Sequence, residues 1–281
     1  MPSSLRIFVA NVAVFLLSSS GVFADEFNCS TPVTKVIESR IVGGKAASPP
    51  DWPFIVAMFS TENGPPPFCG GSLISEQWVL TAAHCVYHMF SENSLDVRRA
   101  KPDGTPAGER AHVTKVLIHP DYVHMPDHSE VNDVALLKLD RPIGVETSQL
   151  AIAASKTTEH SFGFANVCAS TGGWGTTKAG GDVSKILRDV DVPIISEEDC
   201  RSMQGASYNP SAHICAGYKQ GSKDGCQGDS GGPLVVHAGL TGFLLVGVVS
   251  FGKGCGQPNA PGIYSRVSTY RDWIVKTIGE N

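Results

Sequence analysis

The 281-residue chain is 42% hydrophobic and 17% charged, with 30 Gly and 18 Pro. That composition excludes a disordered chain and points to one large all-β unit, or two small domains, with many turns between short strands. A net charge of −5 without a basic run excludes nucleic acid as a partner.

Residues 1–24 read as a secretory signal. Arg6 supplies the positive start, residues 7–17 are apolar apart from Asn11, and Val22-Phe23-Ala24 gives the small-residue cleavage pattern. The apolar run is short for a span, and no other stretch could cross a bilayer, so the mature protein is expected to be secreted, extracellular and free of the membrane. In that compartment the eight cysteines are candidate disulfides rather than metal thiolates.

Residues 25–40 are short, polar and aperiodic, as expected for a propeptide. They hold the sequon Asn28-Cys29-Ser30. Arg40 then precedes Ile41-Val42-Gly43-Gly44. This is either a strand start or a processing site whose cleavage frees the α-amino group of Ile41. In the second case Asp229 is the expected partner, because a buried ammonium is tolerable only when paired.

From Phe54 onward the pattern is β-like. Phe54-Ile55-Val56-Ala57-Met58-Phe59 is one apolar run, and Asn63-Gly64-Pro65-Pro66-Pro67 predicts a loop. Ser72-Leu73-Ile74 and Trp78-Val79-Leu80 predict further strands. Thr81-Ala82-Ala83-His84-Cys85 follows, and Cys69 and Cys85 bracket a hairpin-sized loop beside His84. His84 and His88 stand at i, i+4 but lack an acidic third ligand, so no metal is expected there. Residues 96–115 are charged and predict loops and edge strands.

Asn132-Asp133-Val134-Ala135-Leu136-Leu137 puts an aspartate at the mouth of an apolar strand, where the plain role is a turn or cap. Residues 141–158 lack a pattern and predict a connection between two β-rich halves. In the second half, residues 186–192 alternate as a strand does. Cys200 and Cys215 make a second local pair, and Cys226 and Cys255 would tie a glycine-rich loop to the strand at 244–251. Only the C-terminus reads as helical, with Tyr270, Trp273, Ile274 and Ile278 on one face.

The glycine-rich stretch Asp224-Gly225-Cys226-Gln227-Gly228-Asp229-Ser230-Gly231-Gly232-Pro233 organises the chain. Alone it is a polar turn or a nucleophile loop. A serine there can attack a carbonyl while the Gly228 and Ser230 N–H groups bind the oxyanion. The esterase arrangement needs its acid and histidine downstream, and His237 is too close for that. The order His, Asp, Ser needs both partners upstream, and the chain supplies them.

Four motifs in order carry a resemblance: Ile41-Val42-Gly43-Gly44, Thr81-Ala82-Ala83-His84-Cys85, Asn132-Asp133-Val134-Ala135-Leu136-Leu137 and Gly228-Asp229-Ser230-Gly231-Gly232-Pro233. Residues 40–281 resemble the trypsin-like branch of the chymotrypsin-type serine proteases, with the peptidase domain at 41–281. The resemblance implies two six-stranded antiparallel β-barrels with the site between them and a C-terminal α-helix. It implies Ser230 as nucleophile, His84 as general base and then acid, and Asp133 as its orienting partner. Gly228 and Ser230 would form the oxyanion hole, and Ser250 would support the buried aspartate. Asp224 would floor a pocket for Arg or Lys, with Gly252 and Gly262 as open walls.

Arg40, Ile41 and Asp229 would then act in zymogen activation. The disulfides implied are Cys69–Cys85, Cys200–Cys215 and Cys226–Cys255. Cys168 has Val236 where its usual partner would stand, so it either pairs with Cys29 or both thiols are free. Phe251 replaces the usual tryptophan beside the pocket. Gly225 replaces a frequent serine, which favours Arg over Lys because guanidinium can bond a carboxylate in bidentate fashion. Residues 96–111 match a loop that binds calcium in some relatives but offer only Asp96, Asp103 and Glu109. No metal or cofactor is expected. The implied partners of this monomer are protein or peptide substrates and protein protease inhibitors. The competing reading is a non-catalytic homologue that binds or inhibits.

Overall fold

The computed structural model describes Cys29 and residues 44–62, 64–87, 94–144, 150–152, 165, 167–178, 180–221, 224–237 and 242–281. Strand β1 is Lys45–Ala46, β2 Ile55–Ser60, β3 Gly64–Ser75, β4 Trp78–Thr81, β5 Leu95–Arg99 and β6 Arg110–Ile118. The hairpin β7 Val123–His124 with β8 Glu130–Val131 precedes β9 Ala135–Leu139. Then come β10 Leu150–Ile152, β11 Cys168–Gly173, β12 Arg188–Pro193, β13 His213–Ala216, β14 Pro233–His237, β15 Phe243–Phe251 and β16 Gly262–Arg266.

The first half closes into a six-stranded barrel in the order β2-β3-β4-β9-β6-β5. Its interior is apolar, including Phe54, Ile55, Met58, Leu73, Leu80, Leu136 and Leu137, all buried. The second half is an antiparallel sheet in the order β12-β11-β14-β15-β16-β13. A single bridge between Ile194 and Ala216 brings its ends together, reinforced by the Ile195 N–H on Cys215 O (2.9 Å) and the Gly217 N–H on Pro193 O (3.0 Å). Strand β1 adds to β12, and β10 pairs with β15 in parallel. The helix Val267–Glu280 buries Val267, Tyr270 and Ile274 against the first core, with Trp273 and Ile278 partly buried on the same side.

Three expectations change. The prolines predicted as a loop belong to β3. Pairing with β2 jumps from Ser60–Gly64 to Met58–Cys69, so Pro65, Pro66 and Pro67 occupy an extended bulge where no ladder amide is needed. Residues 95–99 and 110–118 are not edge strands, because barrel closure leaves neither an open side. A second helix, Glu197–Gln204, was not expected; the Ser196 side chain caps it by accepting from the Asp199 N–H at 3.1 Å.

All eight cysteines are bonded, as Cys69–Cys85, Cys200–Cys215, Cys226–Cys255 and Cys29–Cys168. The question left open by Cys29 and Cys168 is therefore answered by pairing. Cys29 packs on the second core, of which Val236 is a member, and its N–H donates to the Tyr218 hydroxyl at 3.2 Å. The rest of the signal and propeptide, with Asn28, Arg40 and Ile41, lies outside the described residues, as does His88.

Candidate active site

The end of β4 delivers His84. Ala82 and Ala83 are fully buried, a tight turn closes with the Tyr87 N–H on Ala83 O, and the Cys69–Cys85 bond fixes the next residue to β3. Asp133 stands between β8 and β9 with no exposure. Its Oδ1 accepts the His84 backbone N–H at 2.8 Å. Its Oδ2 lies 2.8 Å from His84 Nδ1 and accepts the Ser250 hydroxyl at 2.5 Å. A carboxylate this deep is tolerable because each oxygen meets a donor.

With Nδ1–H given to Asp133, Nε2 is the basic nitrogen of His84. Burial alone would lower the His84 pKa, but the hydrogen bond and charge of Asp133, with the charge of Glu130, turn the net shift upward. His84 Nε2 is 3.7 Å from Cys85 Sγ. Cys69, His84 and Cys85 cluster as metal ligands would, but both sulfurs are spent in a disulfide and offer no thiolate.

Ser230 sits in a turn pressed onto this strand end. Its carbonyl accepts the Gly70 N–H, and the next amide, Gly231 N–H, donates to Val249 O, each at 2.8 Å. Gly231 has φ +78°, and a β-carbon there would lie 2.2 Å from Thr81 Oγ1, so only glycine fits. Among the described residues no hydrogen bond joins Ser230 Oγ to His84. Such bonds are often long without substrate and tighten in the complex.

Gly228, at φ +95°, and Ser230 give their N–H groups to no protein acceptor among the described residues. The neighbouring Asp229 and Gly232 amides are spent inside the turn. Two unspent amides beside a serine can receive an oxyanion.

Between them the Asp229 side chain turns inward. It accepts the Gly175 N–H at 2.7 Å and the Cys226 N–H at 2.9 Å, and no cation pairs with it among the described residues. Burial pushes its pKa up to about 6, although both amides pull the other way. A β-carbon at Gly173 or Gly175 would strike the carboxylate, at 2.2 and 2.5 Å.

Behind Ser230 opens a cavity of about 140 Å³. Asp224, 5% exposed, lies in its wall with Gly225, Ser250, Phe251, Gly252 and Gly262. The Gly256 N–H donates to Asp224 Oδ2 at 3.1 Å. Burial lifts Asp224 to about 7 against that bond and one from the Gly225 backbone. A β-carbon on Gly262 would come within 3.0 Å of Asp224 Oδ1, and one on Gly252 within 3.9 Å of Gly262 Cα, so side chains at either would narrow the slot. The Cys226–Cys255 bond ties the two walls together.

Sequence reasoning missed Tyr264, Gln227 and the Gly256 amide, which also belong to the slot. For Tyr264 a signal existed: two residues past Gly262 on β16, it shares that residue's face.

The acids of residues 96–111 are engaged with neighbouring side chains. Asp96 meets Arg110 at 2.7 Å and His112 at 2.6 Å, Asp103 binds Thr105, and Glu109 lies 3.7 Å from Arg99.

A family model described as Trypsin matches residues 41–274. Clotting factor G beta subunit of Tachypleus tridentatus is 35% identical over 255 residues, covering 86% of this chain and 81% of that protein. Serine protease 56 of Homo sapiens is 36% identical over 237 residues, covering 84% of this chain and 38% of that protein. Serine proteinase stubble of Drosophila melanogaster is 34% identical over 274 residues, covering 92% of this chain and 33% of that protein. The chain thus spans most of the first relative and about a third of the other two. On this coverage, over a fold of two β halves with a histidine, an aspartate and a serine gathered where they meet, the chain belongs to the trypsin family of serine proteases.

Proposed function

We propose that the mature protein is a secreted serine endopeptidase, made as a zymogen, that cuts protein chains after Arg or Lys. The observation that carries this reading is the buried Asp224 carboxylate in a narrow cavity opening at Ser230. A carboxylate in such a slot is poorly solvated until a cation arrives. Its elevated pKa expresses the same cost. A guanidinium or ammonium recovers that energy, whereas an apolar side chain leaves the acid unpaired.

With the cationic side chain in the slot, the scissile carbonyl lies against Ser230. Ser230 Oγ attacks the carbonyl carbon as its proton passes to His84 Nε2. Asp133 holds the ring and balances the imidazolium. The oxyanion is received by the Gly228 and Ser230 N–H groups, each donor of this kind contributing about 3–4 kcal/mol in the transition state. His84 then gives its proton to the leaving amine, and an acyl-enzyme remains on Ser230. Water, deprotonated by His84, releases the acid product and restores the serine.

Cleavage after Arg40 would free the Ile41 ammonium to pair with Asp229. Because Arg40 suits the same slot, self-activation is consistent with the reading. The Cys29–Cys168 bond would keep the released segment attached. The testing experiment is hydrolysis of an arginyl chromogenic amide by the cleaved protein and by Ser230→Ala. Turnover lost in the variant is expected. No turnover by the cleaved parent, or equal turnover by both proteins, would overturn the reading and favour a binding homologue.

A further inference from the structure

The β7–β8 hairpin that leads into Asp133 carries a second carboxylate–imidazole pair. Its register sets His124 opposite Glu130, and His124 Nδ1 lies 2.6 Å from Glu130 Oε1. Glu130 is 6% exposed, whereas the His124 side chain is about half exposed. The other carboxylate oxygen, Oε2, accepts the Tyr122 hydroxyl at 2.9 Å. A carboxylate this deep keeps its charge only through such donors. No Lys or Arg pairs with Glu130 among the described residues, so His124 is the contact that can neutralise it by taking up a proton.

Packing and charge couple this pair to the reacting histidine. The Tyr122 ring meets the Tyr87 ring edge-on at 5.2 Å, and the Tyr87 N–H closes the turn that carries His84. Glu130 O accepts from His213 Nε2 at 2.8 Å, so β13 of the second half pins the same residue. The charge of Glu130 reaches His84 and, after that of Asp133, favours its imidazolium. The other groups facing the pair do not cancel that charge. Tyr122 is held protonated by burial and by Glu130. Burial, and the charge of Arg266, lower the His213 pKa, and its Nδ1 accepts the Asn209 N–H. Asp127 is bound by the Ser129 and Ser207 hydroxyls, and the His128 ring stands 5.7 Å from that of His124 at the exposed end of the hairpin.

We propose that Glu130 is a positioning residue for the proton transfer, its charge adding to that of Asp133 on the His84 imidazolium, and that protonation of His124 switches this charge off. The inference rests on the peptidase reading above. With His124 neutral, Glu130 helps His84 to hold the proton taken from Ser230. With His124 protonated, the pair is close to neutral and His84 gives up its proton more readily, which keeps the base free in more acidic solution.

The test reads the protonation midpoint of His84 in two ways. One is the acid limb of kcat/KM for an arginyl amide. The other is the NMR titration of the imidazole in the Ser230→Ala background, which needs no turnover. Glu130→Gln keeps an acceptor for Tyr122 and is expected to lower both midpoints by about half a pH unit, less than the roughly 1–3 units of a carboxylate in contact. His124→Gln leaves the Glu130 charge in place at every pH and is expected to raise both midpoints. A kcat/KM that falls equally at all pH with the midpoint unmoved would make Glu130 merely structural and overturn the inference. So would an unmoved midpoint in His124→Gln, or two variants that shift the same way. Opposite shifts by NMR in a protein that does not cut the amide would sink the peptidase reading and leave the coupling standing.

Discussion

A β-carbon at Gly225 would come no nearer than 4.0 Å to any heavy atom outside its chain neighbours, the closest being the Asp229 side chain. Gly225→Ser therefore adds a hydroxyl to the slot beside Asp224 without displacing anything. A lysine ammonium gains one donor–acceptor from it, worth about 1 kcal/mol, while a guanidinium already engages the carboxylate on two sides. The ratio of lysyl to arginyl kcat/KM is expected to rise about fivefold in the variant, read with matched amides. An unchanged ratio would remove residue 225 from the choice between the two cations. The His84–Asp133 pair makes a pH statement. His84 must be neutral to accept a proton, and its pKa is raised above 6.5. Activity should therefore be lost as pH falls through a value above 6.5. Ser250→Ala removes the hydroxyl donor from Asp133 Oδ2, a bond to a charged group worth ~1.5–3 kcal/mol. At least a tenfold fall in kcat/KM is expected, with little change in KM. His84 and Asp133, which the structure pairs at 2.8 Å, were legible because each lies inside a short motif whose order, with Ser230, excludes the other nucleophile arrangement. Tyr264 was legible only through its place two residues past Gly262, because a buried tyrosine on a strand otherwise looks like core until the cavity beside it is seen.

Among the elements, the helix Glu197–Gln204 was legible in principle. Ser196 followed by Glu197, Glu198 and Asp199 is an N-terminal signature, and Gly205 ends the helix. Its apolar face is small, with Cys200 buried, so periodicity alone gave no signal. Ser196→Ala should cost about 1 kcal/mol and lower Tm by about 2–4 °C, with kcat/KM unaffected, because the helix lines no part of the Asp224 slot. A loss of activity instead would mean that this helix positions the β13 side of the second barrel. The bulge of β3 was misread for a physical reason. Gly and Pro in succession are breaker signals and proline cannot donate to a ladder, but an extended bulge needs no donor at those positions. Residues 95–99 and 110–118 looked like edge strands because they are charged. The charges belong to the outward face of a closed barrel, where Asp96 is covered by Arg110 and His112.

At the scale of the whole molecule, the site exists only because two halves meet. His84 and Asp133 come from the first barrel, and Ser230, Ser250 and Asp224 from the second. The Ser265 hydroxyl on Asp133 O (2.8 Å) and His213 Nε2 against Glu130 O (2.8 Å) join them. That assembly was legible only through the resemblance, since alternation along strands does not say which strands pair. In the proposed activation, Asp229 would link the assembly to Ile41. An aspartate lifted on folding from 3.8 to about 6 keeps a proton that the unfolded chain has released. Folding stability from this group therefore falls as pH rises between those values, and a paired Ile41 ammonium would cancel the loss. The Tm gap between Arg40-cleaved and uncleaved protein should widen from about pH 4 to about pH 6. A constant gap would contradict the Ile41–Asp229 pair.

The most direct measurement of the central claim, that Ser230 cuts beside a slot floored by Asp224, is a peptide-library digest by the cleaved protein and by Asp224→Ser. The parent is expected to cut after Arg and, less often, Lys, and the variant to lose that preference by several hundredfold while remaining folded. Cleavage by the parent after apolar or acidic residues, or an Arg preference retained without Asp224, would contradict it.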